Sequence, residues 1–310
     1  MHLPLLPQLS NLQSAKLHKK TSGEVDEQSY GAIIEMLDKD ISLNTRKAII
    51  SDLSDFSTWF HEINEEKLTF QNLTERDISD FRNSCQQKGQ KVNSINRKLI
   101  TIRSFCKTGV EKGLIQKNVA EKVKLLRQQQ LAPKRLSQSE FRRFLRAVEH
   151  SDNLRNQLII ELMVGAGLRV SEVANLKVSD VTFSDRKGAA EIRHSKGNKD
   201  RMVPLNARIR EFLKAYLEKY QPKDFLFIGQ RGPIKALAIN HLVGVYAKKA
   251  NVKCWPHLLR HHFSYNFLFH HQGEIVGLAQ ILGHSSLNTT NLYTQHRLED
   301  LQARVENLFY

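Results

Sequence analysis

The sequence has 310 residues, more than one compact domain usually holds, so two domains with separate cores are expected. Apolar residues make up 40% and charged residues 25% of the chain, a balance that excludes extensive disorder. Lysine and arginine total 47 against 32 acidic residues, and the resulting charge of +15 favours a polyanionic partner, nucleic acid first, over an inert basic surface. Cys85, Cys106 and Cys254 are too few and too scattered for a disulfide framework or a four-ligand zinc site, and read as reduced, mostly core residues. No apolar run approaches the ~20 residues of a membrane span, and the opening HLPLLPQL lacks the basic start and long apolar stretch of a signal peptide. A cytoplasmic protein with no membrane partner is expected.

Residues 1–23 carry Pro4, Pro7, Lys16, Lys19 and Lys20 without periodicity and read as an N-terminal extension. From about residue 27 the pattern is helical: Ile49, Leu53, Phe56, Phe60 and Ile63 recur at three- and four-residue steps, as one buried helix face requires. Ile78, Phe81 and Cys85 follow the cap-like Thr74. A longer helix from about Lys91 to Glu111 turns Val92, Ile95, Leu99, Ile102 and Phe105 inward and Arg97, Lys98, Arg103 and Lys107 elsewhere. Residues 24–126 therefore read as a small helical bundle. Residues 127–136, polar, basic and broken by Pro133, read as a linker to a second domain over 137–310. That domain opens with Ser137 and Glu140 at capping-box spacing before a helix to about Glu149, with another helix from about Asp152 to Val164. Two strand-like runs between Ala190 and Leu205 flank a Gly/Asn/Asp-rich turn and predict a β-hairpin. Breaks at Pro222, Gly232-Pro233, Pro256, Gly273 and Gly283 divide the rest into short helices. The terminal segment 297–310 places Leu298, Leu301, Val305 and Leu308 at amphipathic spacing.

Four segments concentrate residues suited to phosphate chemistry: GLRVSE (167–172), HSKGNKDR (194–201), HLLRHHF (257–263) and LGHSSLNTTNLYT (282–294). In this order they resemble the active-site boxes of the tyrosine recombinase, or phage integrase, family. The stretch SLNTRKAIISDLSDFSTWF also resembles the core-binding domain of its Xer-like two-domain members, so the resemblance runs from about residue 27 to near the end of the chain. It implies a mainly α fold: an N-terminal helical core-binding, DNA-binding bundle joined to a mostly helical catalytic domain with a small β-hairpin or sheet.

The residues agree with what exchange of a DNA phosphodiester demands. Arg169, at the start of a helix after a glycine turn, can clamp two phosphate oxygens while staying charged at any working pH, and Arg260 supplies a second clamp. Two fixed guanidiniums stabilise the charge that grows on a pentacoordinate phosphorus, so neither a metal ion nor another cofactor is expected. Each arginine alone would read as a surface ion pair; together, in matching boxes, they read as catalytic. By the resemblance, Tyr293 is the nucleophile, forming a phosphotyrosyl link on the 3′ side and releasing a 5′-hydroxyl. That bond keeps the energy of the broken linkage, so no nucleotide-binding loop is needed. Any one of the 7 tyrosines would otherwise read as packing.

The resemblance gives Lys196, rather than the nearby Lys199, the role of protonating the leaving 5′ oxygen, because it stands immediately before the turn glycine Gly197. His257 is implied as proton acceptor for the tyrosine hydroxyl or as a phosphate ligand. His284 is implied as a hydrogen-bond donor to a phosphate oxygen, and Glu172 as the acidic residue that orients the site. Histidines 257, 261, 262, 270 and 271 also invite a metal reading, but no acidic or third ligand stands at motif spacing. His262 departs from the small residue usual at its place in the family.

The implied activity is site-specific DNA recombination, independent of metal and ATP, on double-stranded DNA carrying a recombination site. The two domains would close as a C-shaped clamp on the duplex, and the 297–310 helix would pack on a neighbour in a homo-tetramer formed on DNA by a free chain that is monomeric or weakly associated. Accessory proteins are compatible with this picture. The alternatives are DNA relaxation of the type IB topoisomerase kind and a catalytically silent DNA-binding accessory protein. Chromosome dimer resolution, transposition and phage integration share the boxes; the N-terminal extension favours a mobile-element enzyme, cytoplasmic and nucleoid-associated.

Overall fold

The computed structural model describes residues 25–127, 135–193, 200–284, 290 and 293, which belong to two compact units. The first is a helical bundle of α1 (Glu27–Asp38), α2 (Leu43–Asn64), α3 (Glu75–Gln87) and α4 (Val92–Glu111). Short polar side chains start three of these helices by accepting an orphan backbone N–H: Asp26 from Ser29, Ser42 from Thr45, and Thr74 from Asp77. At Thr74 the Asp77 carboxylate reciprocates, completing a capping box. Helix α4 packs against α1, α2 and α3 and threads the core formed by Leu37, Leu53, Phe56, Phe60, Ile78, Phe81, Leu99, Ile102 and Phe105.

Two inward and outward assignments in this unit are corrected. Ile63, expected on the buried stripe, is 63% exposed, because the stripe runs on past the packed part of α2 to its last turn. Lys98, expected away from the core, is buried: its ammonium lies 5.7 Å from the centre of the Phe81 ring and meets the Asp55 carboxylate at 2.9 Å.

The second unit holds α5 (Gln138–Glu149), α6 (Leu154–Gly165), α7 (Val170–Asn175), β1 (Val181–Phe183), β2 (Gly188–Ile192), β3 (Arg201–Pro204), α8 (Ala207–Tyr220), β4 (Ile228–Gly229), β5 (Gly232–Pro233), α9 (Ala236–Lys249), α10 (Pro256–His270) and α11 (Ile275–Leu282). Ser137 and Glu140 form the expected capping box at the start of α5. The core is built round α6, whose run of Leu158, Ile159, Ile160, Leu162 and Met163 is buried on every side, as a helix apolar all round must be. Its neighbours are α5, α7, α8, α9 and α10. Leu136 and Phe144 join the same core.

The expected hairpin is β2 paired antiparallel with β3, with Ala190 opposite Val203 and Ile192 opposite Arg201. The sequence reading missed β1, which extends the sheet to order β1-β2-β3, and the β4–β5 pair at the Gly232-Pro233 break. Both are too short for alternation to register. The mainly helical class with a small antiparallel sheet is as expected. Among the described residues no helix is long and apolar enough to cross a membrane. The expected helix over 297–310 lies outside the described residues.

Candidate active site

Four parts of the second unit converge: the turn before α7, the start of β3, helix α10, and the segment after α11. Gly167 makes the first turn with φ of +65°, a conformation that favours glycine, and a methyl group there would run into the Phe263 ring. Two residues on, Arg169 caps α7. Its N–H donates to Glu172 Oε2 at 2.8 Å and its Nη1 to Oε1 at 2.7 Å. About a quarter of the Arg169 side chain, 27%, remains open to solvent and to an incoming anion.

Glu172 is the anchor of the site. Burial alone would raise its pKa, but hydrogen bonds and charge from Arg201, with the Arg169 contacts added, hold it below the ordinary carboxylate value. Arg201 grips it with Nη1 on Oε1 at 2.9 Å and Nη2 on Oε2 at 2.8 Å, and Arg260 Nη1 lies 3.8 Å from Oε2. Three guanidiniums thus gather round one carboxylate.

Arg260, on α10, is 1% exposed. Nη1 donates to the Gly167 carbonyl and Nη2 to the Leu282 carbonyl, each at 2.6 Å, and Nη2 also stands 3.4 Å from His284 Nε2. Burial, with the nearby Arg169 charge, brings its pKa down to about 9, which leaves it charged at neutral pH. His284 follows Gly283, which ends α11 with φ of +65° and leaves room for the Arg201 side chain. Its Nδ1 is 2.9 Å from Thr290 Oγ1, and burial, with Arg260, Arg169, Arg201 and His257, lowers its pKa to about 4.

Tyr293 is buried, 6% exposed, with its N–H on the Thr290 carbonyl and its ring edge-on to Tyr265 at 5.6 Å. Burial raises its pKa above the ordinary phenol value. Its hydroxyl lies 2.8 Å from Nδ1 of His261. The ring against the phenol is therefore not that of His257, for which either proton acceptance from the tyrosine or phosphate binding was expected. His257, one helical turn earlier and exposed, meets the His261 ring edge-on at 4.2 Å. Crowding by the protein, then the charges of Arg260 and Arg169, lower the His257 pKa.

The structure brings Arg169, Glu172, Arg260, His284 and Tyr293 together and places His257 at their edge; Lys196, in 194–199, lies outside the described residues. Arg201 and His261 were missed as site residues. Arg201 ends the HSKGNKDR segment, and the need of a buried glutamate for more than one cation was the signal available. His262, the residue out of family pattern, is buried against Phe141 with ring centroids 3.7 Å apart and within 3.1 Å of Asn266 Nδ2.

The comparisons with known proteins agree with this arrangement. Residues 134–299 match the phage integrase family, and residues 35–113 match the phage integrase N-terminal SAM-like domain. The chain is 31% identical to the tyrosine recombinase XerC of Bacillus subtilis (strain 168) over 248 residues, 75% of this chain and 80% of that one. It is 33% identical to the tyrosine recombinase XerA of Pyrococcus horikoshii over 239 residues, again 75% and 80% of the two chains. In fold it is similar to the XerH site-specific recombinase bound to palindromic difH substrate, with TM-score 0.73, 19% identity, and 94% and 93% of the two chains covered. The Tn1549 transposon integrase in complex with circular intermediate DNA gives TM-score 0.67, 18% identity, and coverage of 90% and 99%. These relatives are recombinases and integrases, which disfavours both the topoisomerase and the silent accessory readings. The chain belongs to the phage integrase family and is a tyrosine recombinase, an enzyme of site-specific DNA recombination.

Proposed function

We propose that the chain cuts and rejoins duplex DNA through a covalent bond between Tyr293 and a 3′ phosphate. Arg169 and Arg260 neutralise the scissile phosphate, His284 donates a hydrogen bond to one of its oxygens, and His257, exposed at the rim, is a phosphate ligand. Glu172 holds the guanidiniums in place without touching DNA. Attack forms the bond from the Tyr293 oxygen to phosphorus and breaks the bond from phosphorus to the 5′ oxygen, which takes a proton from Lys196. The 5′-hydroxyl of a partner strand reverses the attack and leaves the tyrosine free.

One observation supports this reading above the others: the guanidinium of Arg260 lies 3.8 Å from the carboxylate that holds Arg169 and 3.4 Å from His284, and the next residue, His261, touches the Tyr293 hydroxyl. A phosphate binding there has cations on one side and a phenol beside it. The test is a nicked suicide substrate carrying the recombination site, scored for protein attached to a 3′ phosphate. Wild-type protein is expected to form the adduct and Tyr293→Phe to bind DNA without forming it; an adduct that survives the substitution overturns the assignment.

The solved complexes of the XerH recombinase with difH substrate and of the Tn1549 integrase with circular intermediate DNA support double-stranded DNA as the partner. A homo-tetramer on DNA, a mobile-element role in integration, excision or resolution, and a cytoplasmic, nucleoid-associated location complete the proposal. Residues 24–126 would serve as the DNA-binding domain, 127–136 as the linker and 137–310 as the catalytic domain.

A further inference from the structure

We infer that Tyr265 is a positioning residue for Tyr293 and that Arg135, near the end of the proposed linker, holds it in place; the inference rests on Tyr293 being the nucleophile. The phenol must meet phosphorus in line with the departing 5′ oxygen, so its ring has to be fixed as well as its hydroxyl. A hydroxyl contact alone leaves the ring free to pivot about the oxygen. Helix α10 supplies both restraints. His261 meets the hydroxyl at 2.8 Å, and Tyr265, one turn further on, meets the ring with centroids 5.6 Å apart and planes at 88°. Side chains four positions apart share a helix face, so the two contacts come as a pair.

Tyr293 also has few other neighbours to fix it. With Leu278 and Leu282 it forms a small cluster separate from the main core of the unit, and Tyr265 is one of the half-buried rings packed on that cluster. The edge-to-face arrangement is the one that aromatic quadrupoles favour, so the contact sets an angle as well as a distance.

Tyr265 is gripped in turn. The Arg135 guanidinium lies over its ring, 5.0 Å from the centroid, as a cation–π contact. Arg135 directly precedes Leu136, which is buried in the main core, and Ser137, which caps α5, so its backbone is anchored on that side. Beside it, His262 of α10 stacks on Phe141 of α5 with ring centroids 3.7 Å apart. Helix α10 thus turns residues 262 and 265 toward the start of α5, and residues 261 and 265 toward Tyr293. Tyr265 is common to both sets.

Two contacts therefore join the linker to the nucleophile: Arg135 to Tyr265, and Tyr265 to Tyr293. Movement of the linker that draws Arg135 off the ring loosens Tyr265 and, through it, the phenol. Packing alone would act differently, because it would change the stability of the unit and leave the rate of a bound complex unaltered.

Single-turnover adduct formation is measured on the nicked suicide substrate at saturating DNA, with DNA affinity and melting temperature followed in parallel. The proteins are wild type, Tyr265→Leu, Tyr265→Phe, Arg135→Gln, the double variant of Tyr265→Leu with Arg135→Gln, His262→Gln and Tyr293→Phe. Tyr265→Leu is expected to lower the rate roughly 10–100-fold with DNA affinity kept, the scale of a reacting group misplaced by about 1 Å. Tyr265→Phe, which keeps the ring, is expected within about threefold of wild type. Arg135→Gln is expected to lower the rate roughly 3–10-fold, and to cost nothing further once Tyr265 is leucine, because the arginine acts through that ring. His262→Gln, outside the route, is expected to keep the rate whatever it does to the melting temperature.

A wild-type rate in either Tyr265→Leu or Arg135→Gln overturns the inference. So does a Tyr265→Phe protein as slow as Tyr265→Leu, or a cost of Arg135→Gln that is as large without the ring as with it. If Tyr265→Leu does not fold, Arg135→Gln decides: a lowered rate at an unchanged melting temperature supports the route. An adduct in Tyr293→Phe is a separate outcome, which overturns the nucleophile reading itself.

Discussion

Arg201 and Glu172 form a two-pronged ion pair, with nitrogen-to-oxygen distances of 2.9 and 2.8 Å, and both side chains are almost wholly buried. The same guanidinium donates through Nε to the Ile281 carbonyl at 2.8 Å, so it joins the first residue of β3 to the box that holds Arg169 and to the end of α11. Removing one partner of such a pair strands a charge in a low-dielectric site. Arg201→Ala is expected to lower stability by about 3–5 kcal/mol, measured as a fall in the melting temperature of the full chain, with cleavage lost in parallel. Arg201→Lys, which cannot fork, is expected to recover only part of either.

Acid should act through the same carboxylate. Glu172 is held below its ordinary value of 4.5 in the folded protein, so its contribution is complete above that value and is lost as pH falls through the lower folded one. Thermal melts between pH 5 and pH 3 are expected to fall more steeply for wild type than for Glu172→Gln, in which that proton uptake is absent. Equal slopes would show that the carboxylate gains nothing from its arginines.

A second acid-sensitive region lies higher. Burial, then the charge of Arg135, lowers the pKa of His262 from 6.5 to about 4. The unfolded chain therefore binds the proton first, and stability falls as pH drops from 6.5 toward 4. His262→Gln is expected to flatten the melting profile in that interval while leaving adduct formation at neutral pH close to wild type. His284 and His261, also lowered to about 4, add to the slope that remains.

The turn that presents Arg169 permits little substitution. Gly167 combines a φ of +65° with the Phe263 ring where a side chain would begin. Gly167→Ala is expected to cost roughly 1–3 kcal/mol in strain and displaced packing and to reduce cleavage more than DNA binding, as compared by melting, gel shift and suicide-substrate assays.

The helices were legible because their apolar residues recur at helical spacing and Thr74 and Ser137 announce their starts. Ile63 and Lys98 were misread for opposite reasons: periodicity does not know where packing partners stop, and a lysine stem is itself apolar. Of the site, Arg169, Glu172, Arg260, His284 and Tyr293 could be named from their boxes and do meet in space. The carboxylate that draws Arg201 inward, and the helical turn that puts His261 rather than His257 on the phenol, depend on three-dimensional placement that spacing along the chain does not report.

Arg260 has a consequence for how loss-of-function variants are interpreted. Its guanidinium ties the carbonyls of Gly167 and Leu282, which lie at the roots of the loops carrying Arg169 and His284. Replacing it would loosen both loops at once, so a dead enzyme with a substitution at this position has lost a keystone as well as a charge. Screens that rank residues by residual turnover will therefore place Arg260 above its electrostatic worth, and only a replacement that preserves both carbonyl contacts could separate architecture from chemistry.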